Sequence, residues 1–153
     1  MSRYTPSDTL VTPVATALAA ILTGEIGVTR VYTEMPDGPP ENNSAVIPPP
    51  SFKLIDDTNG KLRIKLTFPI KHLIRRAKLA DSLNAAQQYY LPYLQAFSAW
   101  HNQQLYNGSV PLSREVTPTT GGIVQLVESG QVFIAMTVNI DVVVDLNIDT
   151  AST

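Results

Sequence analysis

The chain has 153 residues, 44% of them hydrophobic and 16% charged, with a net charge of −2 and no cysteine. That length accommodates one domain with a real core, and the lack of thiols excludes a disulfide framework, a cysteine nucleophile and a thiolate metal site. The longest apolar run, at 14–22, is too short to span a bilayer and lacks the basic flank of a signal peptide, so assembly in a cytoplasm is expected.

The first predicted element is a helix. Thr12 suits its N-cap, Pro13 its first turn and Gly24 its C-terminal stop, while Val14, Ala17, Leu18, Ile21 and Leu22 form one apolar stripe. Residues 28–34 (VTRVYTE) alternate and are β-branched, which predicts a strand. Residues 36–50 hold six of the 12 prolines. Such density forbids regular structure and leaves two readings: a solvated loop, or an extended arm lying on a neighbouring subunit with Val46 and Ile47 as its apolar anchors.

Residues 51–68 (SFKLIDDTNGKLRIKLTF) place Asn59-Gly60 between two alternating runs, a hairpin signal. Leu62, Ile64, Leu66 and Phe68 face one way, and Lys61, Arg63, Lys65 and Thr67 the other. The second strand is expected to stop near Pro69 or to continue only as an edge. Residues 71–80 (KHLIRRAKLA) read as a basic connector. A second helix is predicted over 82–105, with Asp81 as N-cap and a stripe of Leu83, Ala86, Tyr90, Tyr93, Leu94, Phe97 and Trp100; Pro92 should kink or divide it. Residues 108–122 read as loop. GIVQLVE and the following run then flank Ser129-Gly130 as a second hairpin.

That run, 132–148, is apolar at every even position: Val132, Ile134, Met136, Val138, Ile140, Val142, Val144, Leu146 and Ile148. As one strand it would reach roughly 56 Å at about 3.3 Å per residue, longer than the ~40 Å breadth of a compact domain of this size. It must bend, break, or project so that its far half is covered by another copy. The expected fold is α+β: a single domain over 1–153 with an antiparallel β-sheet, two main helices packed on one face, β-hairpins and a very long C-terminal strand.

Little in the sequence points to chemistry. His72 and His101 have no partner at metal-ligand spacing and read as surface or helix-edge residues. Asp141 and Asp145 are about 13 Å apart along a strand, too far for a glycosidase pair. Phosphate-loop and nucleophile-elbow patterns are absent, so no catalytic residue, cofactor or metal is expected and the chain is not read as an enzyme. Charge is segregated. Residues 53–78 balance at +6 and residues 114–153 at −4. The Lys61/Arg63/Lys65 face suits either an acidic protein surface or non-specific phosphate contact; no aromatic residues interleave it, and the pI of about 5.6 favours protein contact.

The order of elements resembles the tail-terminator (neck) proteins of tailed bacteriophages. An amphipathic helix (VATALAAIL) is followed by VTRVYTE, the SFKLIDD…GKLRIKLTFPI hairpin, a long helix and the GGIVQLVESGQVFIAMTVNIDVVVDLNI ending. The resemblance implies a homohexameric ring in the virion that caps the tail tube, ends its polymerisation and joins the tail to a head-side connector or stopper protein. In contractile particles the sheath is a further partner. DNA would pass through the lumen without specific binding, and no membrane is involved. On this reading Val46, Ile47, Lys61, Arg63, Lys65, Val142, Val144, Leu146 and Ile148 are expected at subunit or partner interfaces, and Asp141 and Asp145 in the lumen. Another neck or head-completion protein, or a cytosolic dimeric adaptor, is the alternative.

Overall fold

The computed structural model describes residues 5–58 and 60–147. Helix α1 (Val11–Ile21) begins earlier than its predicted cap, because the Asp8 carboxylate accepts both the Thr12 backbone N–H and the Thr12 hydroxyl. It runs into one wide turn at Leu22–Ile26. The left-handed residue that ends it is Gly27, at φ 83°, not Gly24. Strand β1 (Arg30–Tyr32) follows.

The proline-rich segment is neither a free loop nor a detached arm. Its proline-free centre forms β2 (Ser44–Val46), parallel to β1. The hairpin strands are β3 (Ser51–Thr58) and β4 (Lys61–Arg75). Beyond them lie α2 (Leu79–Gln87), α3 (Tyr90–Ser98), the two-residue strands β5 (Tyr106–Asn107) and β6 (Val110–Pro111), β7 (Glu115–Glu128) and β8 (Gln131–Asn147). The sheet runs β1-β2-β4-β8-β7, with β3 beside β4 on the edge that β2 also uses. Two main helices pack against it. It is mixed rather than purely antiparallel, since β1 and β2 are parallel.

Pro69 does not end β4, and the reason lies in which way its nitrogen points. The Arg76 N–H donates to Val132 of β8, whereas the Arg75 N–H donates to the Asn42 side chain on the opposite edge. With β4 and β8 in unbroken register, odd-numbered nitrogens of β4 therefore face the β2/β3 edge. On that edge β3 pairs with 61–67 and β2 with 71–73, so Pro69 falls in the gap and removes no ladder bond. The "basic connector" at 71–75 is thus the second half of a central strand.

The predicted long helix is two. Gln88 and Tyr89 separate α2 from α3, and Pro92, third in α3, lacks an N–H that a first turn could not bond internally in any case. The start of α2 is tied by Ser82, whose hydroxyl accepts the Ala77 N–H; Asp81 lies within the first turn rather than capping it. Tyr93, Ala96 and Phe97 are buried, but Trp100, predicted in the stripe, is 91% exposed because the helix has ended before it.

Strand β8 remains one piece over 17 residues because its neighbours are long too: β4 has 15 residues and β7 has 14. Ser129 and Gly130, both at positive φ, make the tight β7–β8 turn. The even positions of β4 and β8, among them Phe68, Ile70, Ile134, Met136 and Ile140, pack with Val14, Leu18, Tyr93 and Phe97 in the main core. Among the described residues the odd face is covered only at one end. There Leu73, Phe133 and Ala135 meet Val46 and are roofed by Tyr32, Met35 and Leu126. No helix among the described residues is long and apolar enough to cross a membrane.

Candidate functional site

Four places on this scaffold bear on function. The first is the odd face of the sheet where it is uncovered. Register pairs Arg63 with Asp145, and the Arg63 Nε lies 2.9 Å from the Asp145 carboxylate, whose other oxygen takes Arg114 at 3.0 Å. Asp141 accepts the Thr67 hydroxyl at 2.7 Å, with the Lys65 amine at 3.8 Å. The Arg63 hydrogen bond, above all, holds the Asp145 carboxyl below the usual carboxylate range. This corrects two expectations. The basic face and the acidic positions, assigned to different partners, lie on adjacent strands of one sheet and neutralise each other. Neither a continuous cationic strip for phosphates nor a purely negative lumen wall exists on this chain at Arg63, Lys65, Asp141 and Asp145. Lys61 is exposed at the same end, opposite Asn147.

Val46, Ile47, Val142 and Val144 were expected at an interface but are buried in the chain's own core, and Leu146 is half-buried against it. The long strand needs no second copy to cover its even face, since α1 and its surroundings do so. Val46 and Ile47 anchor the proline-rich segment to its own sheet, where the Ile47 N–H donates to Tyr32. Ile148 lies outside the described residues.

The second place is His72, fully buried in β4 instead of exposed. Its Nδ1 lies 2.8 Å from the Tyr93 hydroxyl and its Nε2 2.8 Å from the Asn43 side-chain oxygen, which also accepts the Tyr89 hydroxyl. The Tyr89 ring stacks on the imidazole at 4.1 Å. A neutral ring satisfies this set as one donor and one acceptor, and burial pulls its pKa down to about 4. Asn43 sits at φ 58° and its amide also reaches the Gly27 carbonyl. The cluster joins sheet, helices and proline-rich segment, and both ring nitrogens have partners within it. Only the Asn42-Asn43 pair, of a residue type that tolerates positive φ, marked it in sequence. His101, by contrast, is exposed and bonds Glu25 at 2.7 Å. Among the described residues no three His, Asp or Glu side chains gather as a metal site.

The third place is a groove between α3 and β7. In β7, Thr119 and Thr120 together oppose Asn139, a bulge bounded by Pro118 and Gly121. The bulge works only with glycine at 121, where a Cβ would lie 2.6 Å from the Thr137 carbonyl oxygen. It opens a cavity of about 260 Å³ lined by Tyr90, Tyr93 and Leu94 from the helix and Met136 and Val138 from the sheet floor. None of its lining residues is charged.

The fourth is β3 itself. Among the described residues it pairs only with β4, which leaves its outer edge open. Phe52 and Leu54 stand opposite Leu66 and Ile64, hence on the helix side of the sheet, yet they are 77% and 51% exposed; Ile55, at a bulge, is 48% exposed. Comparison with protein families and with curated protein sequences finds no match for the chain.

Proposed function

We propose that this chain is a non-enzymatic structural subunit that assembles with copies of itself, of the kind that caps a phage tail tube and joins it to the head connector. The observation that carries the reading is β3: a strand edge left open among the described residues and bearing three large exposed apolar side chains, beside central strands β4 and β8 whose apolar faces are covered. An apolar edge left bare invites uncontrolled pairing unless a specific contact covers it. A closed assembly of identical subunits does so. The resemblance in element order to tail terminators supplies the kind of assembly: a ring of six on the tube tip, within the virion, with tube protein below and a connector or stopper above.

The apolar groove across the sheet supports the same reading, since an uncharged cavity of this size among surface side chains is a ready contact site. So does the neutralised charged face, which presents DNA with neither a strong attraction nor a sticking point. Negative-stain imaging of the purified protein over rising concentration tests the proposal. Closed rings with a central hole are expected. Discrete dimers without a hole would replace the terminator reading with that of a dimeric adaptor.

A further inference from the structure

We infer that the β3 edge of one copy, led by Phe52, seats in the α3/β7 groove of the next copy. This inference rests on the self-assembly reading above and specifies its contact. Knob and groove lie at opposite edges of one sheet, β3 outside β4 and β7 outside β8, and both open on the helix side. A contact between two different surfaces placed in this way is head-to-tail. Each copy offers a knob to one neighbour and a groove to the other, which makes a ring when the rotation closes.

Size and polarity match. A cavity of about 150 Å³ suffices to hold benzene, and the groove of about 260 Å³ has room for the Phe52 ring with part of Leu54 beside it. Neither surface carries a charge at its centre: Phe52 and Leu54 face a lining of Tyr90, Leu94, Pro118 and Val138. Of the three charged residues of β3, Lys53 and Asp56 pair in register with Lys65 and Arg63 and so point to the other side of the sheet, while Asp57, opposite Leu62, is on the helix side but at the turn end of the strand, five residues from Phe52. An aromatic anchor buries roughly 150–250 Å², against about 800 Å² per partner in a standard interface. Phe52 is therefore the central anchor of a wider contact, the position where binding energy concentrates.

The chain has no cysteine, so crosslinking is clean. Leu54→Cys and Thr120→Cys place thiols beside the anchor and at the groove rim, keep Phe52 and Leu94, and alter exposed side chains that leave the fold intact, which thermal melts check. With a short bismaleimide, an equal mixture of the two variants gives a covalent dimer, and the double variant gives a ladder of multimers. The yield exceeds that of Lys53→Cys mixed with Thr120→Cys by at least about tenfold, because Lys53 is on the other side of the sheet and only the seated pair enjoys a high effective concentration. Crosslinking of Leu54→Cys to itself with equal yield would overturn the inference in favour of a two-fold β3–β3 contact. No crosslink above the Lys53→Cys control would also overturn it. Imaging of the unmodified protein then separates the cases: rings without the crosslink reject this contact alone, whereas the absence of any assembly rejects the self-assembly reading as well.

Discussion

The two ends of strand β8 have opposite surroundings. Near Phe133 and Ala135 the sheet is covered on both faces, by helices on one side and by the chain around Tyr32 and Met35 on the other. Near Asp141 and Asp145 only the even face is covered among the described residues, and the odd face carries ion pairs, exposed at Arg63, Arg114 and Asp145 and more shielded at Asp141. Among the described residues β3 adds an open edge at this second end, and Val144–Asn147 have a strand partner only on the β4 side. One end is built as a core and the other as a surface. The lesson is that a strand can outlast its hydrophobic sandwich when its backbone is paired along its length and its second face is charged.

Four substitutions or conditions probe that contrast. Phe133→Ala at the sandwiched end removes a fully buried ring and should cost about 3–5 kcal/mol, read by urea unfolding. Acid should act next, through His72, also at that end. Its folded-state pKa is depressed from 6.5 to about 4, so the stability it contributes is present above pH 6.5 and is lost as pH falls to and through 4. The groups packed on the ring, Tyr89, Tyr93 and Asn43, include no carboxylate to stabilise an imidazolium. The loss is on the order of 3 kcal/mol, and His72→Gln, though less stable at neutral pH, should flatten the stability profile between pH 6.5 and 4.

Gly121→Ala lies between the two ends and should cost about 1–3 kcal/mol, because the new methyl meets a backbone carbonyl that cannot swing away. It should also distort the bulge and weaken assembly beyond its effect on folding. The smallest effect is expected at the charged end. Asp145→Asn should move the thermal midpoint by no more than about 4 °C, and by less in high salt, since exposed ion pairs contribute little and are screened. A large loss there would break the contrast between the ends.

Much of this contrast was legible in the sequence. The even positions of 132–146 announced a continuous buried face, and the odd positions pass from Phe133 and Ala135 to Asp141 and Asp145 where the second cover ends. The α+β layout, both hairpins and the division of the second helix near Pro92 followed from local patterns. Other features required tertiary context. Pro69 argues locally for a strand end, and only the gap between β2 and β3 makes it harmless. The pairing of Arg63 with Asp145 spans 82 residues and depends on register, which no local pattern sets. His72 reads as one more polar residue in a basic run until Asn43, Tyr89 and Tyr93 converge on it. The groove was invisible for the same reason, as its bulge comes from Pro118 to Gly121, a stretch that reads as loop. Phe52 and Leu54 pose the opposite difficulty: they alternate as a buried face would, and only the structure shows that they stay exposed.

Hydrogen–deuterium exchange of the protein, compared between dilute and concentrated solution, tests most directly whether the β3 edge is the surface that assembly covers. Amides of β3 and of the β7 bulge are expected to slow markedly on concentration, while those of the β5–β6 hairpin are unchanged. Assembly with β3 exchanging as fast as in the dilute chain would contradict that expectation.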